Sequence, residues 1–334
     1  MEYDLEKIKA QFPVLNRKIW DKPLIYLDSA ASMQKPQKVL DAINNNYSFN
    51  YSNVHRGLHK LSEEATSNYE GARLKISKFI NCSEKEIVFT SGATAAINLV
   101  AYSWGLKNVS AGDEIIITIA ENHANIVPWQ LIAQQKGAKI IAAQVNPEED
   151  FDAEIIKQLV TDKTKIIAFP HVSNVLGTVF PVKEICKIAK ECGAISVVDG
   201  CQGIIHGTVD VKKLDCDFYC FSGHKLYGPT GIGVLYGKYE ILDEMPPFLG
   251  GGDMIDIVKI NQSTYADPPL RFEAGTPPIV EAIALGEAID WVVETGIDRI
   301  GKHEKNVISY GMSVLTSIDG VNIFGTAPNK TGVI

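Results

Sequence analysis

The sequence predicts an α/β fold: a mainly parallel sheet of seven strands with helices on both faces. Three observations carry this. Short apolar, β-rich runs recur from Glu86 onward, helix-length segments separate most of them, and the composition is that of a globular chain with ample core, 46% hydrophobic and 22% charged over 334 residues. The first third reads helical. Val39, Leu40, Ile43 and Tyr47 fall on one helical face, and Tyr69, Leu74 and Phe79 on another. The strand runs are residues 87–89, 115–117, 140–141, 166–169, 195–198, 218–221 and 233–236. Helices are expected over 94–104, 126–135, 153–160 and 182–192, the spacing of βαβ units. Beyond Pro246 the chain is loop-rich to about Pro278, and a long helix follows over 279–295 before a second, smaller domain.

Charge and composition exclude several functions. Asp plus Glu is 40 against 32 for Lys plus Arg, a net charge of -8, which disfavours nucleic acid and anionic membranes as partners. No apolar run approaches the roughly 20 residues that span a bilayer. The N-terminal residues are charged and lack the apolar stretch of a secretion signal. The six cysteines, with no C-x-x-C pair and no zinc spacing, read as reduced thiols of a cytoplasmic protein without a metal.

In an open α/β sheet, ligands bind outside the carboxyl ends of the strands. Four loops there have suggestive residues. Thr90-Ser91-Gly92-Ala93-Thr94 joins a strand to a helix, where small residues let backbone N–H groups reach an anion; it also suits a plain N-cap. Asp199 ends an apolar strand in Val198-Asp199-Gly200-Cys201-Gln202, as an N-cap or as a carboxylate facing a protonated ring nitrogen or a metal. Ser222-Gly223-His224-Lys225 follows another strand, and a glycine-rich loop comes next. Lys225 suits a Schiff-base nucleophile with a phosphate held beside it, or a solvated surface lysine. Arg271-Phe272-Glu273-Ala274-Gly275-Thr276-Pro277 reads as small residues flanked by an Arg271–Glu273 ion pair. Together a phosphate cradle, a strand-end Asp and a strand-end Lys 26 residues later suit pyridoxal 5'-phosphate, which needs an amine to take its aldehyde, an acid facing its pyridinium nitrogen and an anchor for its phosphate.

On these residues the sequence resembles the class V, fold-type I enzymes dependent on that cofactor, and most closely the SufS-type, group II cysteine desulfurases. Matching segments span nearly the whole chain and include Tyr26-Leu27-Asp28-Ser29-Ala30-Ala31, Asn53-Val54-His55-Arg56-Gly57 and His171-Val172-Ser173-Asn174-Val175-Leu176-Gly177-Thr178. The resemblance implies an N-terminal segment (1–30) packed on the small domain, a large cofactor-binding domain (31–285) and the start of a small α+β domain (286–334). It implies that Lys225 takes the cofactor aldehyde and later moves the substrate Cα proton, that Asp199 faces the ring nitrogen, and that Gln202 bonds the phenolic oxygen. Ala93 and Thr94, with Ser222 and His224, would hold the phosphate. Gly275 and Thr276 would reach the phosphate of the partner subunit in a homodimer. Asn174 would help hold the substrate carboxylate, and His55 would line the substrate cavity. The implied reaction takes L-cysteine to L-alanine and an enzyme persulfide, feeding iron–sulfur cluster assembly through a SufE- or SufU-like acceptor. Selenocysteine lyase is a close variant. Another class V lyase, epimerase or aminotransferase and an inactive partner protein that keeps the fold are the alternatives.

Three departures stand out. Asn122, in Glu121-Asn122-His123-Ala124-Asn125, occupies the position of the family's ring-stacking histidine, so either His123 takes its place through a small shift or the acid–base step differs. Ala93 replaces a common Thr, and Cys201 replaces a usual Ala beside Asp199 as a small buried residue. The family's nucleophilic cysteine and substrate-clamping arginine lie in an Arg-x-Gly-x-x-Cys-Ala segment that aligns beyond Ile334, so the chain is expected to be truncated before its sulfur-accepting part.

Overall fold

The computed structural model describes residues 4–146 and 150–334. Met1–Tyr3, where the expected N-terminal segment begins, and Pro147–Glu149 lie outside the described residues.

All seven expected strand runs form strands of one sheet: β1 (Ile87–Thr90), β2 (Glu114–Thr118), β3 (Lys139–Ala143), β4 (Thr164–Pro170), β5 (Ile195–Asp199), β6 (Phe218–Ser222) and β7 (Gly233–Gly237), in the order β1-β7-β6-β5-β4-β2-β3. Only β7 runs antiparallel to its neighbours, β1 and β6; the other pairs are parallel. Successive side chains of a strand point to opposite faces, so each strand feeds two cores. Ile116, Val198, Tyr219 and Phe221 enter one core, while Ile115, Ile117, Val197, Phe218 and Cys220 enter the other. This is why the runs are apolar throughout and not alternating.

The helices that position the site are α1 (Gln37–Asn45), α2 (Lys60–Phe79), α3 (Ala93–Leu99), α4 (Val127–Lys136), α5 (Ala153–Leu159), α6 (Val182–Cys192), α7 (Ile279–Thr295) and α8 (Ile297–Thr316). The expected helix over 94–104 is not uniform: after α3 the chain widens into a π-type turn over Val100–Gly105. The apolar face of α1 is narrower than its periodicity suggests. Val39 is buried, with Ala42 and Ile43 packed nearby, while Leu40 and Tyr47 are exposed. On α2 the buried face runs through Ala65, Tyr69, Ala72, Arg73 and Ile76, leaving Leu74 and Phe79 at its margin. Helix α7 is apolar over most of its circumference; its buried residues include Ile279, Val280, Ile283, Leu285, Ile289 and Trp291, while Glu281, Glu287, Asp290 and Glu294 form an outer stripe. Trp291 packs on Phe12 and Tyr227 and donates its indole N–H to Gln11 Oε1 at 2.6 Å, which ties the N-terminal stretch to the loop after β6.

Candidate active site

The strand register brings four loops to one edge. Pro170 pairs with Asp199 and Asp199 with Cys220, while Ser222 and Thr90 both pair with Gly233. The ends of β1, β4, β5 and β6 therefore lie side by side. A Cβ on Gly233 would sit 2.4 Å from the Gly92 Cα, so only glycine lets the β1–α3 turn close over β7. That turn is held by Ser222, whose buried Oγ accepts the Ala93 N–H at 2.9 Å.

The floor of the site is acidic and buried. Asp199 Oδ1 accepts the Cys201 N–H at 2.9 Å. Glu121, also buried, accepts the Asn122 N–H at 2.9 Å on Oε2 and a bond from the Asn125 amide on its other oxygen. Burial and the negative charge of Asp199 push the Glu121 carboxyl well above its usual range, against those two bonds. Two carboxyl groups thus share a poorly solvated floor, an arrangement that welcomes a protonated ring nitrogen. Cys201 lies in the same layer, buried, its sulfur 4.0 Å from Ser222 Oγ, and burial pushes its thiol far up. Gln202 is buried too. Its Nε2 donates to Ala30 O at 2.8 Å, while its Oε1 has no partner, an orphaned acceptor at the site.

Backbone packing under this floor explains two glycines. A Cβ on Gly200 would fall 2.0 Å from the Tyr219 ring, and one on Gly203 2.3 Å from His171 Nδ1. His171 Nδ1 in turn lies 2.9 Å from Tyr219 Oη, and burial, aided by His206, pulls the imidazole down to about 4. It is a neutral ring at physiological pH.

Lys225 ends the short turn Gly223–Lys225 after β6. It is half-buried, and its amine makes no hydrogen bond or ion pair with any described residue, as a nucleophile awaiting an electrophile would. His224 Nδ1 lies 3.2 Å from Ser32 Oγ; burial, then Lys225 and Lys35, lower its affinity for a proton. Asn174 is half-buried in the loop after β4. Asn122 spends its side-chain oxygen on its own turn, accepting the Ala124 N–H at 3.0 Å. His123 is exposed and shares a cleft of about 350 Å³ with Thr94, Asn98 and Asn122.

A second cluster holds the remaining predicted residues. Exposed Thr276 lines a groove of about 420 Å³ with Thr90, Ser91, Leu249 and Ala274. Gly275 donates to Gly252 O at 2.9 Å. His55 Nε2 meets Glu70 Oε1 at 2.9 Å, and no hydrogen bond or ion pair among the described residues joins His55, Gly275 or Thr276 to Lys225. The expected Arg271–Glu273 pair is corrected here. Glu273 turns inward to buried Arg73, with bonds of 2.7 and 2.9 Å, and also accepts the Phe89 N–H at 2.7 Å. Arg271 instead donates to backbone carbonyls, including Ala266 O at 2.9 Å, and reaches Asp243. A buried carboxylate needs a buried cation, and Arg73 stands on the apolar face of α2. That misplaced charge was the signal in the sequence for the pair; Glu121 and His171 gave none beyond lying at strand ends.

All six cysteines are free thiols. Among the described residues no His, Cys, Asp or Glu cluster could hold a metal, and no helix is long and apolar enough to cross a membrane.

The chain is 48% identical over 336 residues to a cysteine desulfurase of Salmonella typhimurium, covering all of this chain and 82% of that protein. Among solved structures it resembles the cysteine desulfurase CsdA of Escherichia coli, with a TM-score of 0.88 and 38% identity over 96% of this chain and 79% of that one. It also resembles the apo cysteine desulfurase of Thermococcus onnurineus, with a TM-score of 0.88 and 38% identity over 93% of this chain and 76% of that one. Residues 25–334 match the family model described as aminotransferase class-V, and the chain belongs to that family.

Proposed function

We propose that this protein is a pyridoxal-phosphate-dependent cysteine desulfurase acting on L-cysteine. The observation that carries the reading is the convergence, at one sheet edge, of an unpartnered Lys225, an orphaned Gln202 acceptor and the buried Asp199–Glu121 floor. These residues fit the cofactor: the orphaned Oε1 suits its phenolic hydroxyl, and the floor suits its ring nitrogen. When bound, pyridoxal phosphate supplies an aldehyde for an amine and an electron-withdrawing ring. Asp199 holds the ring nitrogen protonated. Ser222 and His224, with the start of α3 at Ala93 and Thr94, anchor the phosphate. Lys225 holds the cofactor and then moves the proton at the substrate Cα. Asn174 contacts the substrate carboxylate. Asn122 packs beside the site, and His123, which shares a cleft with it, takes over proton handling.

We infer a homodimer in which Gly275 and Thr276 reach the partner's cofactor phosphate, while His55 lines the substrate cavity. We also infer that residues 286–334 begin a smaller domain, on which residues 1–30 pack. The product sulfur would pass to a SufE- or SufU-like acceptor in the cytoplasm and supply iron–sulfur cluster assembly. Five thiols are poor candidates for accepting it. Burial pushes Cys82 and Cys186 up to about 12 and Cys201, Cys216 and Cys220 further, whereas sulfur transfer needs a thiolate.

The test is release of alanine and sulfide from L-cysteine by the cofactor-loaded full-length protein with a reducing thiol present. Cofactor binding without release of either product rejects the reading. Selenocysteine in place of cysteine measures the neighbouring preference. A second reading, another class V lyase, epimerase or aminotransferase, is favoured by the capped Asn122 side chain; racemised or deaminated product in the same assay would select it. Absence of a visible absorbance band would select the inactive partner protein.

A further inference from the structure

The segment before α1 crosses the loop that bears Lys225 and is fastened to it and to the site floor at several points. Ala30 O takes the Gln202 amide at 2.8 Å, and Ser32 Oγ meets His224 Nδ1 at 3.2 Å. The Met33 N–H donates to His224 O at 3.0 Å, and Lys35 Nζ donates to the same oxygen at 3.2 Å and also to Met33 O. His224 O therefore has two donors, one for each of its lone pairs. That carbonyl belongs to the peptide group whose N–H is Lys225's own, and a peptide group is planar. Fixing the carbonyl fixes the direction in which the Lys225 backbone leaves the turn.

Lys35 is an unusual residue for this task. It is half-buried and has no carboxylate partner among the described residues. Burial lowers its amine to about 8. A methylene-rich side chain that needed only to fill space would not place its amine against two carbonyls.

We propose that Lys35 is a positioning residue for Lys225: its amine, shared between Met33 O and His224 O, holds the segment of residues 30–35 across the loop and sets the angle at which Lys225 presents its own amine to the cofactor. The proposal rests on the assignment of Lys225 as the cofactor-linked lysine.

The experiment compares wild-type protein with Lys35→Met, Lys35→Arg and Lys225→Ala. It measures the dissociation constant of pyridoxal phosphate and the visible circular dichroism per bound cofactor, with melting temperature as the control for folding. Loss of a hydrogen bond from a charged donor predicts roughly tenfold weaker cofactor binding in Lys35→Met, together with altered visible dichroism at an almost unchanged melting temperature. Lys35→Arg, which keeps the donors, recovers most of both signals. Wild-type affinity and dichroism in Lys35→Met overturn the proposal. So does a Lys35→Met defect that Lys35→Arg does not relieve, or one that appears only as a lower melting temperature, because either marks a packing role. Lys225→Ala tests the underlying assignment separately. If its cofactor still becomes covalently attached, as judged by borohydride trapping and mass, the role of Lys225 falls, whatever the Lys35 variants show.

Discussion

Replacing Glu273 by Ala removes the acceptor that organises the border between the two clusters of the site. The Glu273 side chain is 4% exposed and that of Arg73 2%. The substitution leaves Arg73 with Glu70, whose Oε2 lies 2.8 Å from its Nε, and with Ile87 O at 2.8 Å. It leaves the Phe89 N–H with no acceptor and the Tyr69 hydroxyl without its 3.1 Å partner. Removing one member of a buried ion pair costs about 3–5 kcal/mol, and stranding a buried N–H costs about 1–3 kcal/mol. Because Arg73 retains Glu70 and these terms overlap, a total near 4 kcal/mol is expected. At about 2 °C per kcal/mol for a large domain, the melting temperature falls by roughly 8 °C. Urea unfolding of the cofactor-loaded protein, followed by tryptophan fluorescence and dichroism, reads the loss directly. The double variant Arg73→Met/Glu273→Leu should regain only the part due to the stranded Arg73 charge, since an apolar pair carries no desolvation cost while the Phe89 N–H stays without its acceptor. A loss below about 1 kcal/mol in Glu273→Ala, the level of an exposed pair, would refute the reasoning.

Three further outcomes are expected. Asp199→Asn should keep bound cofactor and lose most alanine release, because the ring nitrogen is no longer held protonated; undiminished steady-state turnover would contradict that role. Gly203→Ala should destabilise the protein by about 1–3 kcal/mol, as overpacking does, because the new methyl would meet the His171 ring at 2.3 Å; thermal unfolding measures it. The neutral His171, held at about 4 against an ordinary 6.5, contributes stability that is present above 6.5 and is lost as the pH falls toward 4, where the unfolded chain takes up a proton that the folded one refuses. Urea midpoints of wild type and His171→Asn between pH 7 and pH 4, with the roughly neutral end near the unperturbed histidine value, should therefore converge as acid is added.

The sheet was legible from short apolar runs because a strand covered on both faces must be apolar at every position, and helix-length spacers force parallel pairing. Residue type also pointed to Asp199, Ser222 and Lys225, since the first two end apolar strands and Lys225 follows within one turn, where an α/β sheet opens to ligands. Less could be read in the helices. Leu40 matches the period of α1 yet is exposed, Tyr47 falls past the helix end in a π-type turn, and the turn after α3 widens within a stretch that reads as continuous helix.

Local pattern thus determined the architecture of this protein and marked candidate residues at its strand ends, because hydrophobic period and strand-end position are properties of neighbouring residues. Tertiary structure alone decided which charges meet. Glu273 pairs with Arg73, 200 positions away, and not with Arg271 two positions before it. Glu121 shares a floor with Asp199, and Lys35 reaches across 189 positions to the carbonyl before Lys225. Burial makes each of these contacts decisive, since a charge or carbonyl removed from water must find whatever partner the folded chain brings within reach, however distant in sequence.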